Sequence, residues 1–133
     1  MDTKLANGLF ILRITIALVF IMWTGDKFIN PVHAENVWSG FFYMPALGKA
    51  IFLGIGIAEL ILIILFIAGI FKGMTYLIVL VFHAISTLAP INVYLNAYSD
   101  PSNLLFFAAF PMLGACLFLY MFRNEDTKFI VKL

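Results

Sequence analysis

The sequence predicts an all-α integral membrane protein, a four-helix bundle with both termini on the cytoplasmic side. The first observation is composition: of 133 residues, 64% are hydrophobic and 11% are charged, whereas soluble domains are about 45–50% apolar and about 25% charged. The second is a set of four long apolar runs, and the third is an uneven distribution of lysine and arginine between their connections. We expect residues 1–133 to form a single transmembrane domain.

Four apolar runs, at residues 8–24, 47–71, 74–95 and 104–122, each come close to the ~20 residues that cross a bilayer core. All four are expected to be helices, because unpaired backbone groups are not tolerated in lipid. The first run resembles a secretory signal peptide. Since Arg13 interrupts it and no Ala-x-Ala cleavage site follows, we expect it to be retained as the first span.

Four spans place both termini on one side of the membrane. The basic residues of that side are Lys4, Lys72, Arg123, Lys128 and Lys132. Because the other side carries only Lys27 and Lys49, the positive-inside rule places both termini in the cytoplasm.

The outer connection, residues 25–46, is rich in aromatic side chains. Its Asn30-Pro31 pair predicts the start of a short helix. Aromatic residues such as Trp38 suit the lipid headgroup level, which indicates a membrane-surface anchor. The alternative is a lid over a site that opens outward.

Arg13, Glu59 and His83 are ionisable residues that fall deep inside three different predicted spans. Glu59 follows Leu47 by twelve residues, so at about 1.5 Å per residue it lies about 18 Å deep, near the bilayer centre. His83 reaches a similar level from the opposite side, and Arg13 lies one to two turns nearer the cytoplasm. A charge at the bilayer centre costs about 3 kcal/mol on insertion scales, so Glu59 is expected either to pair with Arg13 or to be protonated.

Helical phase predicts that polar groups face the bundle interior. One stripe of the first helix holds Arg13, Ala17, Phe20, Thr24 and Lys27, and one face of the third holds Tyr76, His83, Thr87, Pro90 and Tyr94. This predicts an intramembrane polar cavity bounded by Arg13, Glu59 and His83. The structural alternatives are that Arg13 snorkels to the cytoplasmic interface and that His83 is a hydrogen-bonded interior residue.

Composition and spacing argue against several other functions. The net charge of +1 makes nucleic acid an improbable partner. A single cysteine, Cys116, excludes dithiol chemistry within the chain. No metal or haem site is predicted, because His33 and His83 are too far apart to ligate one ion together and the six methionines are scattered.

Several short motifs in the first 80 residues resemble the DoxX family. They are LRITIALVFIMWTGDKF, with an early arginine and a glycine and lysine at the end of the span, then YMP, then AELILIILFIAGIF. The corresponding residues are Arg13, Gly25, Lys27, Pro45, Glu59 and Gly69. The resemblance implies a small four-helix protein of a bacterial or archaeal cytoplasmic membrane. It also implies a link to the quinone pool, since the family takes its name from subunits associated with thiosulfate:quinone oxidoreductase and terminal oxidase. Relatives that use thiol chemistry need cysteines that this chain lacks.

These observations lead to a first hypothesis of a redox-associated membrane subunit that binds a quinone or another small ligand. Glu59 and His83 would carry protons, and the ligand would contact Arg13, Glu59, His83, Lys27, Thr87 and Phe20. Electrons would come from a partner oxidoreductase. The alternatives are a proton-coupled small-molecule transporter acting as a dimer, and a non-enzymatic subunit for assembly or anchoring.

Overall fold

The first helix, α1, covers Thr3–Ile29 and is longer at both ends than the predicted run of residues 8–24. It begins after Asp2, whose carboxylate accepts a hydrogen bond from the backbone N–H of Lys4 and so caps the helix. The computed structural model describes residues 2–132, and their secondary structure is helical, without a β-strand in that range.

The connection between the first two predicted spans contains a second helix, α2, at Pro31–Phe42. It begins at Pro31, as the Asn30-Pro31 pair predicts, although the Asn30 side chain makes no capping hydrogen bond. Proline suits this position because the first N–H groups of a helix have no intrahelical acceptor. The helix ends at Tyr43, which adopts the left-handed conformation with φ of 53°.

The next two helices form a tight hairpin. Helix α3 covers Lys49–Ala68 and ends at Gly69, which adopts a left-handed conformation with φ of 66° that glycine accepts without strain. Helix α4 follows at Lys72–Leu88. The predicted third run, residues 74–95, is divided at Pro90, which lacks the N–H needed to continue the helix. A short helix, α5, follows at Ile91–Leu95.

The last apolar run begins as a 3-10 helix at Leu104–Ala108 and continues as helix α6 at Ala109–Met121. Pro111 lies in the first turn of α6, where its missing N–H removes no intrahelical hydrogen bond. The change from 3-10 to α geometry lies two residues before Pro111, between Ala108 and Ala109.

Three helical stretches, Thr3–Ile29, Lys49–Ala68 and Leu104–Met121, are long and apolar enough to cross a membrane, whereas Lys72–Leu88 is a shorter apolar helix. Large apolar side chains are exposed along them, among them Leu18 at 60% and Ile64 at 59%. Exposure of this kind suits lipid and not water. The chain is therefore a helical, multi-pass membrane protein.

Helix α1 packs against α3 and α6, and α4 packs against the same two helices. The shared core contains Leu9, Ile16, Ala17, Phe20, Ile63, Phe66, Tyr76, Val79, Cys116 and Leu119. Helices α1 and α3 run antiparallel, because Thr24 meets Glu59 while Arg13 meets Gly69. This register decides which polar side chains can pair.

Candidate functional site

The Glu59 carboxylate is bound by two side chains of α1. Its Oε2 lies 2.9 Å from Lys27 Nζ and accepts a hydrogen bond of 3.1 Å from Thr24 Oγ1. The side chains of Lys27 and Glu59 are only 15% and 20% exposed. Gly56, one turn before Glu59, allows the close approach, since a Cβ there would lie 3.0 and 3.1 Å from two ring carbons of Phe28, the residue after Lys27. The result is an ion pair at the middle of α3.

This ion pair borders a groove of about 370 Å³ between α3 and α4. The groove is lined by Ile55, Ala58, Glu59, Leu62, Ile78 and Phe82. Glu59 is the one polar side chain among these six, so an apolar ligand part would meet a single carboxylate and its ammonium partner. The volume is near the lower end of the range of about 300–1,000 Å³ for small-molecule sites.

His83 is buried in α4, directly after Phe82, which lines the groove. Its Nε2 lies 2.9 Å from the Ala109 carbonyl of α6, which in the neutral ring places the proton on Nε2. Nδ1 is buried and has no hydrogen-bond partner within residues 2–132. The hydroxyl of Thr87 donates to the His83 backbone carbonyl at 2.7 Å and lies 3.3 Å from Nε2.

Aromatic stacking connects His83 to α1. The Trp23 ring lies 6.0 Å from the His83 ring, and Phe20 lies 5.7 Å from Trp23, both between ring centroids. Trp23 and Thr24 are consecutive, and Thr24 contacts Glu59. Glu59 and His83 therefore lie at similar levels, as residue counting predicts, but they contact α1 through different residues.

Arg13 belongs to a separate cluster. The expected pairing of Arg13 with Glu59 is wrong, because Arg13 pairs with Asp126 and Glu59 pairs with Lys27. Its Nη1 lies 2.9 Å from Asp126 Oδ2 and 3.2 Å from Tyr76 Oη, and its side chain is fully buried. Arg13 precedes Thr24 by eleven residues, about 16 Å along α1. The antiparallel register places Arg13 beside Gly69 at the end of α3, out of reach of a carboxylate ten residues earlier. The Arg13 side chain is fully buried and does not reach solvent.

The six predicted ligand-contacting residues thus divide into three groups. Lys27 meets Glu59; His83 meets Thr87, with Phe20 behind the stacked Trp23; and Arg13 stands apart with the C-terminal residues. Sequence reasoning did not select Thr24 or Tyr76 as site residues, although both lie on the predicted polar stripes. Sequence reasoning also missed Asp126. Its one notable feature in the sequence is its position shortly after the last apolar run, residues 104–122.

Within residues 2–132, no three His, Cys, Asp or Glu side chains come together as a potential metal site. The arrangement can bind a polar group through the Lys27 ammonium, accept or release a proton at Glu59 and surround an apolar ring. Comparison of this chain with protein-family models, with curated proteins and with solved structures finds no match.

Proposed function

We propose that this chain is a DoxX-like integral membrane subunit whose groove beside Glu59 binds the head group of a quinone or a small ligand of similar shape. Four spans, with α4 joining the three longer helical stretches, would place both termini in the cytoplasm of a bacterial or archaeal cell. The motif that contains Arg13 and Lys27 and the motif that contains Glu59 support this membership.

The observation that carries the proposal is the position of the Glu59 carboxylate. It lies at the middle of an apolar helix, paired with Lys27, on the wall of a groove that is otherwise apolar. Charged side chains inside a membrane are costly and usually mark ligand, ion or proton sites. A quinone head group combines a flat apolar ring with carbonyl oxygens. The ring would suit the apolar lining of the groove, and a carbonyl oxygen would suit the Lys27–Glu59 pair.

The chemistry assigned to each side chain follows from its bonding. Lys27 does not itself line the groove, but its ammonium lies 2.9 Å from the Glu59 carboxylate that does. Because the ammonium has three donors, it would bind Glu59 and also a ligand carbonyl held next to that carboxylate. Glu59 would exchange the proton that accompanies quinone reduction, and Thr24 would hold its carboxylate in place. Ile78 and Phe82 would contact the ring.

The other predicted site residues would have supporting roles. His83, Thr87 and Phe20 do not line the groove, so they would shape the bundle behind it. Electrons would come from a partner oxidoreductase protein, which makes this chain an accessory subunit. In this proposal Arg13 does not contact the quinone.

The test is to purify the full chain in a mild detergent and to quantify co-purified quinone by mass spectrometry, followed by titration with a short-chain quinone. Glu59→Gln and Lys27→Met should each lose most of the quinone. Asp26→Asn is the matched control, because Asp26 lies next to Lys27 in sequence but its carboxylate contacts His33 at 2.6 Å. Asp26→Asn should therefore retain quinone like the unmodified chain.

Equal quinone binding by all four proteins would contradict the proposal. If the unmodified chain binds no quinone while both groove variants unfold, the ion pair has a structural role instead. That result would favour the assembly subunit, since Lys27 and Glu59 already satisfy each other within the chain.

A further inference from the structure

The C-terminal residues fold back onto the helices where α3 ends and α4 begins. We call residues 123–132 the C-terminal strap. The backbone N–H of Val131 donates to the carbonyl of Ala68, the last residue of α3, at 2.9 Å. The ring of Phe129 packs on Phe10 of α1, with 4.9 Å between centroids. The strap is therefore attached to both α1 and α3.

Donors from α1 and α4 converge on one residue of the C-terminal strap. Asp126 Oδ2 accepts hydrogen bonds from Arg13 Nη1 at 2.9 Å and from Tyr76 Oη at 2.6 Å. Lys72 Nζ donates to the backbone carbonyl of Asp126 at 2.9 Å. In these three hydrogen bonds the donors belong to the helices and the acceptors belong to the strap.

The hydrogen bonding between Arg13 and the C-terminal strap is incomplete. Nη2 donates to the Lys128 carbonyl at 2.6 Å, but Nε has no acceptor and Asp126 Oδ1 has no donor within the described residues 2–132. A guanidinium binds a carboxylate or phosphate best through two parallel N–H···O bonds. Asp126 reaches it through a single oxygen, so the arginine retains an unused donor for an oxyanion.

We propose that Arg13, Tyr76 and Lys72 form an oxyanion-binding site and that Asp126 occupies it as an internal ligand. A phosphate or carboxylate that binds Arg13 through two oxygens would displace the C-terminal strap. The anion is either the phosphate of a lipid head group or a free anion from solution. This site is separate from the Glu59 groove and does not depend on the function proposed there.

Cross-linking of the C-terminal strap to α3 tests the competition. The full chain carries Ala68→Cys and Val131→Cys in a Cys116→Ser background and is placed in nanodiscs. The rate of cross-linking by a short bifunctional thiol reagent is measured in phosphatidylcholine, in phosphatidylcholine with inorganic phosphate at constant ionic strength, and in phosphatidylglycerol. Phosphatidylcholine is the reference, because its choline neutralises its phosphate and its head group carries no net charge. The proposal predicts a severalfold lower rate with added inorganic phosphate, in phosphatidylglycerol, or in both.

The pattern identifies the source of the anion. A decrease in phosphatidylglycerol alone assigns the site to a lipid head group, and a decrease with inorganic phosphate assigns it to a soluble anion. Equal rates in all three conditions would overturn the proposal. Asp126 would then have only a structural role, holding the C-terminal strap on the helices. These arms need no change in the site itself, so they decide the matter even if a site variant does not fold.

Variants separate specific anion binding from general charge effects. Arg13→Lys keeps the charge but loses the planar pair of donors, so the response to phosphate should disappear. Glu125→Gln, the neighbouring carboxylate, is the matched control and should respond like the unmodified strap. An unchanged response in Arg13→Lys would also overturn the proposal.

Discussion

At the residue scale, Glu59 and Lys27 should depend on each other for stability. Lys27→Met leaves the carboxylate without its cation in an apolar setting, and Glu59→Gln leaves the ammonium without its anion. Each single change should therefore lower the free energy of unfolding, while the double change should cost less than their sum. We expect a coupling energy of about 1–3 kcal/mol in a double-mutant cycle, measured by steric trapping in detergent micelles.

The same cycle built from Lys27→Met and Asp26→Asn supplies the comparison. Asp26 pairs with His33 and not with Lys27, so these two changes should be additive. Additivity in the Lys27 and Glu59 cycle as well would mean that the 2.9 Å contact contributes little to folding.

Residue counting within a helix could place Glu59 and His83 but not the partner of Arg13. Depth follows from the rise per residue, and helical phase gives the face, so both levels could be predicted. The pairing of Arg13 depends on where the chain end folds. Residues 123–132 have the composition of an ordinary polar terminus, and no local pattern distinguishes Asp126 from Glu125 beside it.

At the scale of the helices, Gly56 sets how closely α1 approaches α3. A Cβ at Gly56 would lie 3.0 and 3.1 Å from two ring carbons of Phe28, closer than ordinary contact. Gly56→Val should push the helices apart beside the Lys27–Glu59 pair and lower the free energy of unfolding by about 1–3 kcal/mol. The measurement is unfolding in detergent, with quinone binding as a second readout of the distorted groove.

Gly54 on the same helix provides the control, since a Cβ there meets nothing within 4 Å. Gly54→Val should leave both stability and quinone binding close to those of the unmodified chain. A similar loss in both variants would show that the cost comes from valine in the helix and not from the contact with α1.

Apolar runs predicted the helices well and their ends less well. Helix α1 continues beyond the predicted boundary at residue 24. The polar residues there have partners, since Asp26 contacts His33 and Lys27 contacts Glu59. Pro90 divides the third run for a reason visible in the sequence, whereas the left-handed Phe71 that precedes α4 could not be foreseen. Bulky residues adopt that conformation only where surrounding contacts hold them.

At the scale of the whole molecule, the Glu59 groove and the Asp126 cluster occupy different levels of the same bundle. The α1–α3 register joins them, since Thr24 faces Glu59 and Arg13 faces Gly69. If α1 crosses the membrane outward, the groove lies near mid-membrane and the C-terminal strap lies at the cytoplasmic surface. Both proposed sites therefore depend on the orientation of the chain.

Cysteine accessibility in intact and permeabilised bacterial cells measures that orientation. In a Cys116→Ser background, Met44→Cys lies in the outer connection of residues 25–46, and Ser102→Cys lies in residues 96–103, which the four-span topology also places outside. Both should react with a membrane-impermeant maleimide in intact cells. Gly73→Cys and Asn124→Cys lie at the predicted cytoplasmic end of the bundle, next to Lys72 and Arg123. Because basic residues are retained in the cytoplasm, both cysteines should react only after permeabilisation. Labelling of Gly73→Cys from outside together with Met44→Cys would mean that α3 does not cross the membrane. Labelling of Asn124→Cys and Ser102→Cys from the same side would mean the same for the stretch Leu104–Met121, and either result would remove the mid-membrane position on which the role of Glu59 rests.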